Sequence, residues 1–404
     1  MSDRPEPFVW EHDAYHYSYE NVGLTGYTGL DYHCVAQLSV MRAWRAQIGK
    51  RGFYKGALAV LPDGTLIAAP VDGLAPLVEV PYPSRPHSQP MSCPVRLHQS
   101  TDGARTWQPI VHSPLIGKEA SLTSLEDGVL LFTNESTDGV GYSDDGGKTW
   151  KIIPFHTPRV HERETVGTVR SPIFHPDGTI SFLRCVGVGA TTWPEPDDFP
   201  RCTAWLVHST DGGRTWNDRT QVETWDHASH QFAEADFARM PDGRLLSTSR
   251  LKWLYPLEGK PLPYPPASMP NDHAAGHMVL MESTDEGRTW TEPREFLQYS
   301  EIHGQLTLLQ DGRLLCTYSH YHLPFGVAGV VSDDYGKTWN FDHPLQLALS
   351  NPHGSAWPTT RQLSDGTLVT LYALTPYHIE PAENGPNVCH TVRWELPPRA
   401  DRAE

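Results

Sequence analysis

The sequence predicts an all-β fold, a six-bladed β-propeller, from three observations. The pattern S-x-D-x-G-x-T-W, called an Asp box, occurs five times, at residues 100–107, 143–150, 209–216, 283–290 and 332–339. An Asp-Gly pair between apolar segments occurs six times, with Asp at positions 63, 127, 177, 242, 311 and 365. The two patterns alternate along the chain, and repeats at intervals of tens of residues indicate one supersecondary unit used many times.

Each unit begins with a predicted hairpin, because Asp-Gly between β-rich segments favours a tight turn. A third strand, the Asp-box turn and a fourth strand opened by the box Trp complete each of the first five units. Asp accepts hydrogen bonds from nearby backbone N–H groups, Gly tolerates positive φ, and Trp supplies an apolar plate between neighbouring sheets. Only the first box departs from the pattern, with Ala104 at the Gly position.

The sixth unit lacks an Asp box and is one strand short. We therefore expect residues 1–50 to form an N-terminal extension that supplies the closing strand of the last blade, from within Phe8–Tyr19. Residues 51–398 then form the propeller, and residues 399–404 form a tail. Apolar residues at helical spacing predict a short helix within His33–Ile48.

Composition limits the classes of partner. The chain has 404 residues and a net charge of −16, and nucleic acids and anionic membranes both require a basic surface. No apolar run approaches the length of a membrane span, and the polar start has no signal-peptide core, so we expect a cytoplasmic protein. The six Cys show no metal-ligand spacing, and we expect no metal or other cofactor. The sequence does not determine an oligomeric state.

The connections within the blades predict which face carries the function. Long connections rich in Pro and aromatic residues follow the second strand of three blades, at residues 72–93, 186–201 and 251–277. The Asp-Gly turns and Asp boxes are short and uniform, and they belong to the opposite face. Function usually lies on variable loops held by a rigid scaffold, so we expect the site on the face with the long connections.

Polar residues are predicted to converge on the propeller axis. The positions seven or eight residues before the six Asp-Gly turns hold Lys55, Glu119, Arg170, Glu234, His303 and Trp357. Second strands end near the same face at Asp72, Arg250 and His320, with Tyr321 next in sequence. A sugar pocket requires carboxylates, cations and an aromatic ring, so we expect a carbohydrate partner. The alternative is that such residues form ion pairs that fill the channel, for example Glu234 with Arg250.

The Asp boxes and six Asp-Gly hairpins together resemble the sialidase superfamily, also called the BNR-repeat family, over nearly the whole chain. The resemblance implies a sialidase-like propeller, but fold alone does not decide activity. A sialidase uses three Arg on the substrate carboxylate, a Tyr nucleophile with a partner Glu, and an acid/base Asp. Glu234 and Arg250 match the family's Glu and one Arg, eight residues before and after Asp242.

The other family positions are different here. Lys55 neighbours the place of the missing first Arg, and Leu323–Val331 contains no third Arg. Trp357 occupies the Tyr position, and an indole cannot attack an anomeric carbon. Asp72 is the one acid/base candidate in the first long connection. These departures indicate a sialidase-like fold that is not a standard sialidase.

The first predicted function is a glycoside hydrolase that cleaves a terminal acidic or deoxy sugar from a glycan. Glu234 and Glu119 are the predicted acid/base pair or nucleophile, and resemblance to sialidase-like arabinanases implies that Glu can replace Tyr in this role. Arg250, Arg170 and Lys55 are predicted to bind an anionic substituent, and Trp357 to stack on the sugar ring.

Two alternatives remain open from the sequence. A uronate lyase on the same fold would use His303 and Tyr321 to take the α-proton, because a neutral His acts as a base near pH 7. His320, Tyr321 and Asp72 complete the predicted substrate-binding set. A non-catalytic carbohydrate-binding propeller is favoured by Trp357 at the nucleophile position and disfavoured by the convergent carboxylates.

Overall fold

The protein is a ring of six four-stranded antiparallel sheets. The computed structural model describes residues 43–76, 78–79, 91–110, 113–117, 119–134, 139–156, 170–187, 202–223, 230–253, 276–297, 301–321, 326–349, 356–374 and 387–396. Within these ranges every regular element is a β-strand, so the predicted all-β, six-bladed architecture is confirmed. The described part of the chain contains no helix long and apolar enough to cross a membrane.

The strands are numbered in chain order. The first thirteen are β1 (Ala43–Ile48), β2 (Phe53–Val60), β3 (Leu66–Asp72), β4 (Val78–Glu79), β5 (Met91–Pro94), β6 (His98–Ser100), β7 (Gln108–Pro109), β8 (Ile116–Gly117), β9 (Ser121–Ser124), β10 (Leu130–Thr133), β11 (Gly139–Ser143), β12 (Lys151–Pro154) and β13 (Ile173–Phe174). The others are β14 (Ile180–Gly187), β15 (Cys202–Ser209), β16 (Asp218–Val222), β17 (His230–Arg239), β18 (Leu245–Trp253), β19 (Gly276–Ser283), β20 (Arg294–Glu295), β21 (Glu301–Leu308), β22 (Leu314–His320), β23 (Gly326–Ser332), β24 (Leu345–Leu349), β25 (Thr359–Gln362), β26 (Leu368–Leu374) and β27 (Val388–Trp394).

Five blades follow the order of the chain from the innermost strand outwards, with β4 and β5 inserted between the second and third strands of blade one. They are β2-β3-β6-β7, β9-β10-β11-β12, β13-β14-β15-β16, β17-β18-β19-β20 and β21-β22-β23-β24. Blade six has the order β25-β26-β27-β1, so its outermost strand comes from the other end of the chain. A separate small sheet, β4-β5-β8, lies beside blades one and two.

Strand β1 closes the ring. It pairs antiparallel with β27, from Ala43 opposite Trp394 to Ile48 opposite Cys389. Arg45 reinforces this closure by donating to the Tyr372 hydroxyl and, at 2.5 Å, to the Leu347 carbonyl of blade five. The predicted helix is wrong for residues 43–48, because ladder bonds to β27 override the helical spacing of apolar residues. The segment Phe8–Tyr19 lies outside the described residues.

The Asp-Gly pairs lie in hairpin loops, as the sequence predicts. Each loop has three residues rather than two. In the first hairpin the Gly64 N–H donates to Leu61 O at 2.9 Å, and the Leu61 N–H donates to Thr65 O at 2.8 Å. This is a type I turn followed by a left-handed residue. Gly64 has φ 85°, which explains why Gly follows Asp at each of these turns.

Each Asp box is a local network of hydrogen bonds between side chains and the backbone. In the first box Asp102 Oδ1 accepts from the N–H groups of Arg105 and Thr106, and Oδ2 accepts from Thr106 Oγ1 at 2.6 Å. Ser100 Oγ accepts from the Ala104 N–H at 2.9 Å. Ala104 has φ 70°, in the same left-handed region as the Gly that other boxes carry, so this box is strained relative to them.

These bonds make the stability of the fold sensitive to acid. Partial burial opposes the charge of Asp102, but the bonds from Thr106, Ser100 and Arg105 outweigh it and lower the Asp102 pKa to about 2. Because the Asp102 pKa is lower in the folded chain than in the unfolded chain, the charged carboxylate stabilises the fold at pH values above the unfolded pKa of about 4. That stabilisation is lost as the pH falls from about 4 towards about 2. We expect Asp102→Asn to lower the urea midpoint at pH 6 and to match wild type near pH 2. An equal deficit at both pH values would contradict this assignment.

Among the described residues the hydrophobic core consists of six apolar clusters, one between each pair of neighbouring blades. Between blades two and three, the buried box residue Trp216 packs against Phe155 and Phe182, with ring centroids 6.0 and 5.2 Å away. The cluster between blades one and six includes Ile48 of β1. The two faces of each blade are thus buried against its neighbours. The first strands of the blades surround the axis of the ring, which is lined by polar residues.

Candidate functional site

The polar cluster predicted from the sequence lies at the axis, where the first strands of the blades begin. Lys55, Glu234 and His303 occupy equivalent places near the start of β2, β17 and β21, and Trp357 lies just before β25. The long connections predicted to cover this face, 72–93, 186–201 and 251–277, are for the most part outside the described residues.

All four residues have a left-handed backbone, and the three that lie in strands lie in β-bulges. Lys55 has φ 40°, Glu234 57°, His303 60° and Trp357 44°, all in the left-handed region that favours Gly. In β2, β17 and β21 the pairing register shifts at this point, with two residues on the first strand facing one on the second. Left-handed backbone costs a non-Gly residue about 1–2 kcal/mol. Backbone strain at four equivalent positions indicates a functional constraint, because strained backbone does not stabilise the fold.

Glu234 is held from two sides. Its Oε1 accepts from Arg250 NH1 at 2.8 Å, and its Oε2 lies 3.5 Å from His303 Nε2. Only 4% of Glu234 is exposed. Burial opposes the charge of Arg250, but the attraction of Glu234 outweighs it and raises the Arg250 pKa. The carboxylate therefore has one oxygen engaged by a permanent cation and the other directed towards an imidazole.

The hydrogen bonds around His303 indicate its tautomer. Its Nδ1 lies 2.8 Å from Ser319 Oγ, and the same oxygen accepts from the Trp357 N–H at 3.2 Å. Among the described residues Ser319 has no other acceptor for its hydroxyl proton, so we assign that proton to His303 Nδ1. A neutral His303 then carries its own proton on Nε2, which faces Glu234.

Glu119 is the second carboxylate of the cluster, and it forms an ion pair with Lys55. Lys55 Nζ also lies 5.1 Å from the centroid of the Trp357 ring. Burial opposes the charge of Lys55, but the attraction of Glu119 and then of Glu234 outweighs it and raises the Lys55 pKa. One ammonium thus lies within the fields of two carboxylates that come from blades two and four.

Comparison with known proteins agrees with this architecture. The family model described as a BNR repeat-like domain matches residues 264–373, and the BNR/Asp-box repeat model matches residues 142–151. No curated protein matches this chain in sequence.

Solved structures resemble the chain over most of its length. A protein of unknown function from Dyadobacter fermentans DSM 18053 is 18% identical over 87% of this chain and 98% of its own, with a TM-score of 0.61. An α-L-arabinanase from Penicillium chrysogenum complexed with arabinobiose is 14% identical over 84% and 93%, with a TM-score of 0.53. Trypanosoma rangeli sialidase is 11% identical over 87% and 59%, with a TM-score of 0.50. The chain has the fold of the sialidase-like propellers, and two of its segments match BNR-repeat models. At these identities the likeness is one of fold.

Two predicted ligands of this BNR propeller have other roles in the structure. Arg170 is 5% exposed, and it donates to the carbonyls of His303, at 2.8 Å, and Pro358 instead of facing a ligand. Trp357 is 1% exposed, with Arg170 and Lys55 over its ring and His303 beside it. Neither an anion contact by Arg170 nor a stacking platform at Trp357 is supported, because backbone acceptors and packed side chains occupy those positions.

Two other predicted residues lie away from the central cluster. Asp72 pairs with Lys50 and Arg96, both at 3.3 Å, and His320 pairs with Glu301 at 3.1 Å. Asp72 thus pairs with two cations at the edge of blade one, and His320 Nε2 contacts a carboxylate at the edge of blade five. The predicted Tyr321 belongs to the cluster, with its ring centroid 5.9 Å from that of His303.

Ser319 and Asp236 are site residues that the sequence analysis did not single out. Asp236 is fully buried, and burial raises its pKa against the attraction of Arg170. A charge within the apolar run of β17, beside Ala235 and Phe237, was a signal for a buried ionic partner. Ser319 carried no such signal, because a Ser in a second strand is common and only the bulge of β21 brings His303 to it.

Proposed function

We propose that this propeller is a glycoside hydrolase that uses Glu234 and Glu119 as its pair of catalytic carboxylates. Arg250 and His303 orient Glu234, which suits it to attack the anomeric carbon or to activate water. Glu119 is the proton-transfer group: the proton given to the leaving oxygen comes from the ion pair of Glu119 with the Lys55 ammonium, and the water consumed in hydrolysis returns a proton to that pair.

One observation carries the proposal: two buried carboxylates from different blades are each paired with a cation at the axis of the propeller, Glu119 with Lys55 and Glu234 with Arg250. The attraction of Glu119 and then of Glu234 raises the Lys55 pKa against its burial. Glycosidases need two carboxyl groups on opposite sides of the scissile bond, and the distance between them decides whether the product retains or inverts its configuration.

The charge arrangement favours a neutral or deoxy sugar over an acidic one. Lys55 pairs with Glu119, Arg250 pairs with Glu234, and Arg170 is bound to backbone carbonyls. The three cations predicted as ligands for an anionic substituent are thus already committed, and a carboxylate on the substrate would have to displace a buried Glu. The arabinanase of this fold was solved with arabinobiose, a neutral sugar, which agrees with this choice.

The test is incubation with a panel of neutral, deoxy and acidic oligosaccharides, read by mass spectrometry. The proposal predicts a product pair heavier by one water in total, from a neutral or deoxy member. The anomer formed first, read by proton NMR, assigns Glu234 as nucleophile if configuration is retained and as base if it is inverted. Binding without any product would contradict the proposal and would leave a carbohydrate-binding propeller.

A second candidate, a uronate lyase, is favoured by the contact between His303 and Tyr321. The Tyr321 ring lies edge-on to the His303 ring, with the two centroids 5.9 Å apart. In this reaction a base takes the proton next to the carboxylate, a C=C bond forms, and the glycosidic oxygen leaves with a proton. Products with no added water and a new ultraviolet absorbance would replace the hydrolase proposal with this one.

A further inference from the structure

Arg170 connects the bulges at the centre of the site. Its NH1 donates to the His303 carbonyl at 2.8 Å, its NH2 donates to the Pro358 carbonyl, and NH2 lies 3.4 Å from Thr359 Oγ1. The guanidinium carbon lies 4.5 Å from the centroid of the Trp357 ring. A bulge removes a carbonyl from the regular ladder, so a buried donor is needed there. Arg170 supplies that donor to blades five and six at once.

The backbone of Arg170 makes the same kind of connection to two more blades. Its N–H donates to the Ala235 carbonyl at 2.9 Å, directly after the left-handed Glu234. Its carbonyl accepts from Ser121 Oγ, at the start of β9 and two residues after Glu119. One residue of blade three is thus bonded to blades two, four, five and six.

Asp236 is a buried carboxyl group whose attraction opposes the cost of burying the Arg170 charge. Its Oδ2 accepts from the Leu306 N–H at 2.6 Å, and its Oδ1 accepts from Ser171 Oγ at 2.5 Å. Asp236 lies two residues after Glu234, and Leu306 lies three residues after His303. Burial lowers the pKa of Arg170 to about 10, against the attraction of Asp236 and Glu234, so the guanidinium stays charged at neutral pH.

We propose that Arg170 is a positioning residue, which holds the left-handed backbone of His303 and Trp357 so that the His303 ring meets both Ser319 and Glu234. The inference rests on the proposed function, since it assigns Arg170 to the orientation of a catalytic carboxylate. Arg170 acts through these residues and not on substrate, because its donors point at carbonyls and 5% of it is exposed.

The experiment compares Arg170→Met and Arg170→Lys with wild type. Met keeps an unbranched side chain against Trp357 but donates to neither carbonyl, and Lys lacks the planar fork that reaches both. Because small misplacements of reacting groups are costly, we expect Arg170→Met to lower kcat about 100-fold while KM changes less than about threefold. Arg170→Lys is expected to fall between Arg170→Met and wild type.

A second readout does not depend on turnover. Long-range proton–nitrogen NMR spectra report the tautomer and environment of each His ring, and His303→Gln identifies the His303 signals. We expect Arg170→Met to shift the His303 ring nitrogens, because the carbonyl that anchors its backbone loses its donor. If Arg170→Met does not fold, Arg170→Lys is compared in the same two measurements.

Arg239→Met is the matched control. Arg239 also connects neighbouring blades by donating to a backbone carbonyl, that of Phe174 in blade three at 2.9 Å, and it donates to the Gly243 carbonyl of its own blade at 3.2 Å, but on the Asp-box face. An equal loss of kcat in both Met variants would overturn the proposal, because the effect would then be one of general stability. A raised KM with unchanged kcat would also overturn it and make Arg170 a substrate ligand.

The two proposals fail in different ways. If wild type cleaves no sugar in the panel, the proposed function fails, and the NMR spectra alone decide the positioning role. His303 signals that move in Arg170→Met but not in Arg239→Met then support that role. Signals that stay in place in both variants overturn it.

Discussion

Replacing Glu234 with Gln is expected to lower turnover by about 1,000-fold or more, since loss of an acid/base or nucleophilic carboxylate removes a step that nothing else in the site performs. The amide keeps an oxygen for Arg250 NH1, so the geometry of the 2.8 Å contact is preserved while the negative charge is lost. The measurement is kcat and KM on the best sugar of the panel.

The structure also predicts a cost in stability for this change. Arg250 is buried, and an uncompensated buried charge costs about 3–5 kcal/mol when its partner is removed outright, less when a hydrogen bond survives. The control is Glu282→Gln in the same blade. Glu282 lies away from the axis, and it accepts a hydrogen bond from Arg244 NH1 at a distance of 2.7 Å. This substitution breaks a Glu–Arg pair without touching the site. An equal loss of turnover in both variants would contradict the assignment of Glu234 as a catalytic carboxylate.

Replacing Trp216 with Ala is expected to destabilise the fold by about 3–5 kcal/mol, the range for deleting a large buried ring. Trp216 is fully buried between blades two and three, and its Nε1–H donates to the Gly213 carbonyl at 3.1 Å. The change removes packing against Phe155 and Phe182 and leaves that carbonyl without its donor. The measurement is the urea midpoint at constant slope.

Trp44→Ala is the control for this prediction. Trp44 lies on β1 and 48% of it is exposed, so its removal is expected to change the unfolding free energy by less than about 0.5 kcal/mol. Equal losses at Trp44 and Trp216 would mean that the blade interface is not where the box Trp stabilises the ring.

The sequence alone was sufficient for the repeat architecture because its signals are local. Asp-Gly pairs and Asp boxes satisfy their own hydrogen bonds within a few residues, as Asp102 does with Arg105 and Thr106. A turn that needs no distant partner is visible in a short stretch of chain. The closing strand was not local: Ala43–Ile48 is a strand only because β27 lies beside it at the other end of the chain.

The list of polar residues at the axis also came from the sequence, because their distance to each Asp-Gly turn is constant to within one residue. The sequence could not separate their roles. Glu119 pairs with Lys55 and Glu234 pairs with Arg250, while Asp72 and His320 pair with neighbours at the edges. Which partner a charged side chain finds depends on contacts between blades that are far apart in sequence.

What the sequence determined by itself was therefore the number of blades, their turns and the first-strand positions from which side chains reach the axis. Only the tertiary structure decided that Lys55, Glu234, His303 and Trp357 have a left-handed backbone, and that Arg170 binds the carbonyls of His303 and Pro358 in place of a ligand. The physical reason is that a strained backbone conformation is held by long-range hydrogen bonds. Such bonds leave no mark on the local pattern of residues.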